Sequence, residues 1–440
     1  MLDQTLRFFS LADANVRYVL LGSLLIGGTS GLLGCFGVLR KRSLMGDALA
    51  HAALPGVALA FMLTGSKALP VLILGAAISG LLGVLAIQVI VGQTRIKSDA
   101  AIGLVLSVFF GLGIVLLTHV QRSGAGNQSG LDKFLFGQAA SLVEEDLRVM
   151  AWLAAGILAA VVLFFKEFKG LIFDAGFLHA SGFPTRLVDL GLMGLIVLTV
   201  MVGLQAVGVV LMAAMLITPA VAARFWTERL LTMVWLSALF GSLSGVVGTF
   251  VSSLAPRLPT GPVMVLVSTA LFAFSALFAP RRGALARWRQ HRANVRRETR
   301  HHLLRAAVEL EERGVRGLGL DQLAVRLGWP QGRVRRWAGR LAREGLIQSV
   351  QGRWQLTEAG RQQGAFVVKS HRLWEYYLVH REILAADHVD RPADEVEHLL
   401  NPEIITRLEE ILQQERQLDI TRLGNLHKGE SGHRPGGREG

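Results

Sequence analysis

Long apolar runs recur along the chain from residue 17 to residue 279 and stop there. A helix needs about 20 mainly apolar residues to cross the hydrocarbon core of a bilayer. Segments of about this length predict nine membrane-spanning helices, over residues 17–39, 44–64, 69–92, 99–119, 147–165, 185–203, 206–223, 230–252 and 261–279. The second segment is the least uniform of them, because it contains Asp47, His51 and Pro55.

The pattern changes near residue 300, where apolar residues take the spacing of amphipathic helices. The sequence predicts a helix that ends at Gly314, a short helix near Asp321, and an Arg-rich helix between Pro330 and Gly345. A two-stranded hairpin that turns near Gly352 follows. We predict three further helices, over residues 358–380, 392–400 and 402–416. A polar, Gly-rich and disordered tail follows over residues 417–440.

Composition and charge support a membrane protein with a soluble C-terminal part. Hydrophobic residues make up 51% of the chain and the mean hydropathy is +0.43, whereas soluble proteins contain about 45–50% apolar residues. The formal net charge is +13, and the basic residues near the predicted helices fall in alternate connections, as cytoplasmic loops require. They are Arg40, Lys41, Arg42, Arg95, Lys97, Lys166, Lys169, Arg224, Arg229, Arg281 and Arg282. This pattern predicts an external N-terminus and a cytoplasmic C-terminus.

Three further features restrict the interpretation of the sequence. The single cysteine, Cys35, lies within an apolar run, so neither an intrachain disulfide nor a cysteine-based metal site can form. Residues 281–300 contain eight arginines and one glutamate, a composition typical of contact with the headgroups of membrane lipid, with DNA contact as the alternative. The N-terminus lacks the basic region and the cleavage site of a signal peptide.

Asp47 and His51 are spaced four residues apart, so their side chains lie on the same face of the second predicted span. Ionisable residues are costly inside a membrane and usually face the interior of a helix bundle or an aqueous path. A carboxylate together with an imidazole suits Zn, Mn or Fe(II). The two residues therefore indicate either a metal path or a buried hydrogen-bonded pair that joins two helices.

The segment SLMGDALAHAALPGVALAF at residues 43–61 resembles the second-helix signature of the zinc/manganese/iron permease family of ABC transporters. Three other segments resemble the family in matching order: SDAAIGLVLSVFFGLGIVLL (98–117), LDKFLFGQ (131–138) and VGVVLMAAMLITPAVAARF (207–225). The resemblance covers about residues 15–280. It implies metal transit past Asp47 and His51, a second permease copy or a paralogue, a separate ATPase subunit, and an extracytoplasmic metal-binding protein.

Residues 166–186, KEFKGLIFDAGFLHASGFPTR, separate two predicted spans on the cytoplasmic side. Asp174, Ala175 and Gly176 begin a short amphipathic piece, and in the family such a piece is the coupling helix that docks into the ATPase. The chain contains no phosphate-binding motif of the form G-x-x-x-x-G-K-[ST], so it has no ATP site of its own. We therefore expect a transport protein and not an enzyme, with ATP hydrolysed by another polypeptide.

About residues 300–416 resemble the diphtheria-toxin-repressor family of metal-dependent regulators, because helix, short helix, Arg-rich helix and wing occur in the family's order. The resemblance implies a winged helix followed by a helical metal-sensing and dimerisation domain. The candidate recognition helix carries Arg333, Arg335, Arg336 and Arg340. Arginine binds phosphates and guanine, so these residues are candidates for DNA binding, and a solvated basic helix is the alternative.

The same resemblance implies a regulatory metal site. The residues that match the family's ligand positions are His371, Glu375, Asp394, Glu397 and His398. Aspartate at the third position provides a hard oxygen ligand and favours Mn or Fe(II). Further ligand positions in the first helix fall at His301 and Leu304, and leucine cannot coordinate a metal. Histidines and carboxylates on a solvated helix are the alternative, to which we assign His380 and His388.

Together these features predict an all-α polytopic membrane domain followed by a cytoplasmic winged-helix and helical metal-sensing domain. The predicted permease domain, basic juxtamembrane linker, winged helix, metal-sensing domain and tail cover residues 1–280, 281–299, 300–366, 367–416 and 417–440. The predicted function is the permease subunit of an ABC importer for manganese, zinc or iron, in the inner membrane of a bacterium. A membrane-anchored metal-dependent transcription regulator is one alternative. A permease for siderophore or cobalamin is another, but it would not need Asp47 and His51.

Overall fold

The computed structural model describes residues 13–40, 44–66, 68–122, 137, 142–254, 258–315 and 317–380. The chain divides into two compact units, Met1–Arg287 and Trp288–Gly440. The first is called the membrane unit below and the second the C-terminal unit. Each unit has a hydrophobic core of its own.

The described part of the membrane unit is built from helices. In chain order they are α1 (Ala14–Leu39), α2 (Met45–Thr64), α3 (Leu69–Gln93), α4 (Ser98–Arg122), α5 (Glu144–Leu163), α6 (Phe165–Phe173), α7 (Ala175–Ala180), α8 (Thr185–Val207), α9 (Val209–Arg224), α10 (Leu230–Ser253) and α11 (Thr260–Phe278). Each of the nine predicted spans has a helix at its position. Among the described residues, eight helices are long and apolar enough to cross a membrane, and α9 is shorter.

A single residue, Gly208, separates α8 from α9. Its φ of 88° and ψ of 162° lie in a region of backbone conformation that is essentially restricted to glycine. The Gly208 amide donates to the Leu204 carbonyl at 2.9 Å, and the Gly208 carbonyl accepts from the Met212 amide at 3.1 Å. One glycine therefore ends α8 and begins α9, which leaves the seventh predicted span as a helix of 16 residues.

Small residues bring the backbones of α1 and α10 together. A side chain at Gly27 of α1 would collide with the backbone of Gly241 of α10. In the same contact, Ser237 Oγ donates a hydrogen bond to the Gly31 carbonyl, and Ser237 is fully buried. Lipid is as apolar as the helices, so close van der Waals packing and interhelical hydrogen bonds must hold them together.

The C-terminal unit follows the order of elements predicted for a winged helix. Its elements are α12 (Ala284–Glu312), α13 (Leu320–Leu327), α14 (Gln331–Arg343), β1 (Ile347–Val350), β2 (Arg353–Leu356) and α15 (Glu358–His380). The sequence pattern predicts that the first helix begins near residue 300, but α12 begins at Ala284. No glycine or proline lies between Gly283 and Gly314, and arginine has a high helix propensity, so the basic segment is helical as well. The helices predicted over 392–400 and 402–416, and the tail, lie outside the described residues.

The core of the C-terminal unit lies between α12, α13, α14 and the hairpin. Val334, Ala338 and Leu341 are buried at helical spacing on one face of α14. Strand β1 pairs antiparallel with β2, with Ile347 opposite Leu356 at one end. The predicted turn near Gly352 is confirmed. Gln351 and Gly352 have φ values of 52° and 77°, as the two-residue turn of a tight hairpin requires.

A row of charges joins three helices of the C-terminal unit. Glu309 of α12 accepts hydrogen bonds from Arg305 Nε at 2.8 Å and from Arg326 Nε of α13 at 2.9 Å. Arg305 Nη1 in turn lies 3.1 Å from Nδ1 of His371 in α15. Burial alone would raise the pKa of the Glu309 carboxyl, but the hydrogen bonds and charges of the two arginines outweigh it and hold that pKa below its ordinary value.

We expect Gly241→Ala to destabilise the membrane unit, because the new methyl group would collide with the backbone at Gly27. Overpacking of this kind costs about 1–3 kcal/mol. The control is Gly156→Ala in α5, where an added Cβ meets nothing within 4 Å. Thermal unfolding of both variants in detergent checks the prediction. Equal unfolding temperatures for the two variants would contradict the tight contact between α1 and α10.

We expect Glu309→Gln to lower the free energy of unfolding by about 3 kcal/mol near pH 7, because it removes the negative charge that pairs with the buried Arg305. The folded pKa of Glu309 is lower than its unfolded pKa. The carboxylate therefore stabilises the fold fully above about pH 4.5 and less as the pH falls through the folded pKa. Denaturation of the full chain at several pH values, followed by tryptophan fluorescence, measures both effects.

Glu312→Gln is the matched control, because Glu312 pairs with Arg372 but its side chain is 48% exposed. Exposed ion pairs contribute about 0–1 kcal/mol. Equal losses of stability in the two variants, or a Glu309→Gln loss that does not shrink in acid, would show that burial of this carboxylate is not what matters.

Candidate functional site

Asp47 and His51 lie together in the first half of α2. Asp47 Oδ1 is 3.4 Å from His51 Nε2, and the two side chains are 36% and 15% exposed. Phe110 of α4 packs edge-on against the imidazole, with 4.7 Å between the ring centroids. Nδ1 of His51 is buried and has no hydrogen-bond partner among the described residues. The predicted proximity of the two side chains is therefore present, on a helix that is otherwise mostly buried.

Glycines hold α2 tightly against its neighbours. The backbone of Gly56 meets that of Gly75 in α3, and an added Cβ at Gly113 of α4 would lie 3.2 Å from Pro55 Cδ. Proline has no amide hydrogen, so Pro55 leaves the His51 carbonyl without its usual donor four residues later in the helix. The site thus sits at a weakened turn of a helix that is fixed on both sides.

The Asp47–His51 pair is chemically suited to a divalent transition metal. It offers one carboxylate and one imidazole nitrogen on the same side of α2. Two side chains are fewer than the four ligands that a tetrahedral site needs. No group of three or more His, Cys, Asp or Glu residues that could hold a metal occurs in the described parts of the chain. The pair can therefore be only part of a ligand set.

Asp174, Ala175 and Gly176 lie at the start of α7, as the sequence pattern suggested. Asp174 Oδ1 accepts a hydrogen bond from the Phe177 amide at 2.8 Å and so caps the helix. Leu178 is buried, whereas the side chains of Phe173 and Phe177 are 65% and 69% exposed. The exposed rings at the end of α6 and within α7 are suited to contact with another protein.

The four candidate DNA-binding arginines of α14 do not form one uniform surface. The Arg333 guanidinium stacks on Trp329 at 4.3 Å, and that of Arg340 lies 5.3 Å from the Trp337 ring. Arg340 also approaches Glu344, at 4.0 Å. The other two residues of the set, Arg335 and Arg336, are exposed. The structure brings the four onto one helix, and aromatic rings or acidic groups engage two of them.

His371 is the predicted regulatory ligand whose side chain the structure describes. It is buried, at 2% exposure, and its Nδ1 faces the Arg305 guanidinium. A neighbouring guanidinium disfavours a second cation on that nitrogen, so a metal would have to approach Nε2. The side chain of Glu375 and all of Asp394, Glu397 and His398 lie outside the described residues. Leu304 is buried in the core at 1% exposure.

Sequence reasoning missed two arginines. Arg40 was assigned to a basic loop, yet its Nη2 lies 2.7 Å from Asp189 Oδ1 of α8. Arg305, beside His371, was not singled out at all. Asp189, the lone acidic residue in the predicted span 185–203, could have indicated the role of Arg40, because an acidic residue inside a membrane needs a partner. The second has no comparable signal, since its partner lies 66 positions away.

Comparisons with known proteins agree with this architecture. The sequence pattern of the ABC 3 transport family matches residues 12–279. The pattern described as "Iron dependent repressor, metal binding and dimerisation domain" matches residues 357–417.

Two relatives of known sequence are similar to this chain. The manganese transport system membrane protein MntC of Bacillus subtilis is 45% identical over 379 residues, which are 86% of this chain and 87% of that protein. A match of this length extends beyond the membrane unit into the C-terminal unit. The zinc transport system membrane protein TroC of Treponema pallidum is 47% identical over 294 residues, 67% of this chain and 98% of that protein.

A solved structure is similar as well, that of PsaBC from Streptococcus pneumoniae in complex with Fab. It is 33% identical, with a TM-score of 0.58, and the match covers 66% of this chain and 99% of the other. The structural match thus covers about the same share of this chain as the match to TroC. Because the family pattern extends over residues 12–279, well over half of the chain, this protein belongs to the ABC 3 transport family.

Proposed function

We propose that this chain is the membrane permease of an ABC importer for a divalent transition metal, and that the metal passes Asp47 and His51. The observation that carries the proposal is the 3.4 Å contact between these two side chains inside an apolar helix. The names of the relatives, a manganese and a zinc transport protein, support manganese or zinc as the cargo, with iron as a third candidate. The protein moves its substrate and makes or breaks no covalent bond.

The incomplete ligand set supports a pair of permeases. Two ligands from one chain leave a divalent ion under-coordinated, whereas an equivalent pair from a second copy or a paralogue would complete a four-ligand site. His51 Nδ1, which is buried without a partner among the described residues, is a further group that such an arrangement could satisfy. An extracytoplasmic metal-binding protein would deliver the ion to this site.

The energy for transport would come from a separate ATPase. The full sequence contains no G-x-x-x-x-G-K-[ST] motif. Helix α7, with its cap Asp174 and the exposed Phe177, is the candidate docking helix for that ATPase. Basic residues at alternate connections support a cytoplasmic position for α7 and for the C-terminal unit, where ATP is available. The arginines near the start of α12 are suited to anionic membrane lipid.

The C-terminal unit would act as a cytoplasmic metal sensor. The repressor-type metal-binding pattern at residues 357–417 includes all five candidate ligands, which are His371, Glu375, Asp394, Glu397 and His398. The charge row connects His371 through Arg305 and Glu309 to Arg326 of α13. A structural change caused by metal binding at His371 would therefore be transmitted to α12 and α13, the helices that precede α14 and the hairpin. The output is either restraint of transport or DNA binding through Arg335 and Arg336 with Arg333 and Arg340.

A membrane-anchored transcription regulator is the second candidate function. Exposed Arg335 and Arg336 on α14 favour it, since guanidinium groups bind phosphate and guanine. Transport distinguishes the two functions. A pure regulator would leave metal uptake unchanged once its target genes are expressed from an independent promoter.

We expect Asp47→Ala and His51→Ala each to lower the rate of metal uptake by at least about 100-fold, because each removes a charged or coordinating group that the ion needs to leave water. Uptake of Mn²⁺ and Zn²⁺ into proteoliposomes that contain the complete importer is the measurement. Asp99→Ala and His119→Ala are matched controls, since both residues lie on α4 and are exposed.

Both control variants should transport at the wild-type rate. Wild-type uptake by Asp47→Ala and by His51→Ala, at equal amounts of inserted protein, would end the hypothesis of a metal path on this face of α2. Loss of transport in all four variants would indicate damage to the fold.

We expect Mn²⁺ loaded on the cytoplasmic side to slow ATP-driven uptake by a factor in the range of about 5–150, which is typical of coupling between two binding sites. His398→Ala should remove this inhibition, whereas His388→Ala, at a histidine not assigned to the site, should keep it. The vesicles contain no DNA, so a regulatory output through DNA cannot contribute. If internal metal slows the wild type and His398→Ala equally, the C-terminal unit does not restrain transport.

A further inference from the structure

Arg40 joins three helices at one end of the membrane unit. It follows the last residue of α1, and its guanidinium donates to the Leu171 carbonyl of α6 at 3.0 Å and to Asp189 Oδ1 of α8 at 2.7 Å. The Arg40 and Asp189 side chains are only 18% and 13% exposed. These three residues are called the Arg40 cluster.

The contact with Leu171 provides a hydrogen-bond donor for a backbone carbonyl at the end of α6. Helix α6 ends at Phe173, so the Leu171 carbonyl is among the last four of the helix, which lack amide donors within it. The Arg40 guanidinium supplies the missing donor. Asp174, which caps α7, comes three residues after Leu171. The Arg40 side chain thus links the turn that orients α7 to both α1 and α8.

A continuous set of packing contacts leads from α1 to the metal pair. The backbone of Gly34 in α1 touches the Leu216 carbonyl of α9. The Leu216 side chain in turn fills the space at Gly46 of α2, where an added Cβ would lie 2.7 Å from Leu216 Cδ2. Gly46 is the residue before Asp47. No space for a side chain remains at either contact, so movement of α1 must displace α9 and then the start of α2.

We propose that Arg40 is a positioning residue for energy coupling, which attaches the turn between α6 and α7 to α1 and α8 so that movement of α7 reaches Asp47. This rests on the proposed function, in which α7 docks on the ATPase and metal passes Asp47. Arginine is needed because its planar fork donates in two directions at once, to the Leu171 carbonyl and to the Asp189 carboxylate, whereas lysine is a point charge.

Two measurements on the full-length chain test the proposal with Arg40→Lys. Hydrogen exchange in lipid nanodiscs, without ATPase or metal, should be about ten-fold faster at the amides of residues 171–178, as loss of a hydrogen bond from a charged donor predicts. In proteoliposomes with ATPase and metal-binding protein, the number of Mn²⁺ ions moved per ATP hydrolysed should fall about ten-fold, within the range typical of coupling between sites. ATPase binding in a pull-down should persist.

Arg282→Lys is the matched control, because Arg282 pairs with Glu228 at 2.8 Å but both side chains are about half exposed, at 47% and 61%. It should keep the wild-type exchange and coupling ratio. Asp189→Asn provides a second variant should Arg40→Lys insert poorly, and the same two changes are expected from it. The charge-swapped double variant, Arg40→Asp with Asp189→Arg, restores an ion pair but leaves position 40 with no donor for Leu171.

The double variant should therefore recover protein stability without recovering the coupling ratio. Recovery of the ratio would overturn the proposal, since an ion pair alone would then suffice. A wild-type ratio or unchanged exchange in Arg40→Lys and Asp189→Asn would overturn it too. Failure of the proposed function has a different signature: the wild type would move neither Mn²⁺ nor Zn²⁺, or Asp47→Ala would move both, and the exchange measurement would still decide the role of Arg40.

Discussion

The membrane unit depends on the close contact between α1 and α10. Lipid provides no hydrophobic force between apolar helices, so their association relies on packing and hydrogen bonds. Gly27 and Gly241 let the two backbones touch. Two hydrogen bonds add to this contact: the Ser237 hydroxyl donates to the Gly31 carbonyl, and the Thr249 hydroxyl donates to the Ser23 hydroxyl. Helix α1 then provides the surface against which α9 packs, and α9 holds the start of α2. The position of the metal pair is thus set by contacts that contain no metal ligand.

Several polar side chains in the described part of the membrane unit hold neighbouring helices together, and the Asp47–His51 pair is of a different kind. Ser79 Oγ, for example, donates to the Ala52 carbonyl at 2.6 Å and ties α3 to α2. Within the described residues, Asp47 and His51 contact each other and yet leave a buried imidazole nitrogen without a partner. An unsatisfied polar group in a membrane is costly. Groups held in this state are therefore suited to a ligand that arrives and leaves.

Hydropathy located a helix at each of the nine predicted spans, but it could not show which side chains of different helices contact one another. Apolar runs and flanking turn residues located each span, and helical spacing placed Asp47 beside His51. The contacts of Arg40 could not be predicted, because Leu171 and Asp189 lie 131 and 149 positions away in the sequence. The burial of His371 against Arg305 was hidden for the same reason. The start of α12 was missed because a basic segment was interpreted by its charge and not by its helix propensity.

The order of the helices along the chain has a consequence for biosynthesis. The hydrogen-bonded residues of α1 and α10 are 206 to 226 positions apart. At a synthesis rate of about 5–20 residues per second, α1 is complete about 10–40 s before its partner leaves the ribosome. During that interval its glycine face, the Ser23 hydroxyl and the Gly31 carbonyl have no α10 to meet. Correct assembly therefore requires the nascent chain to keep this face from pairing with other proteins in the membrane until translation has nearly passed the last span.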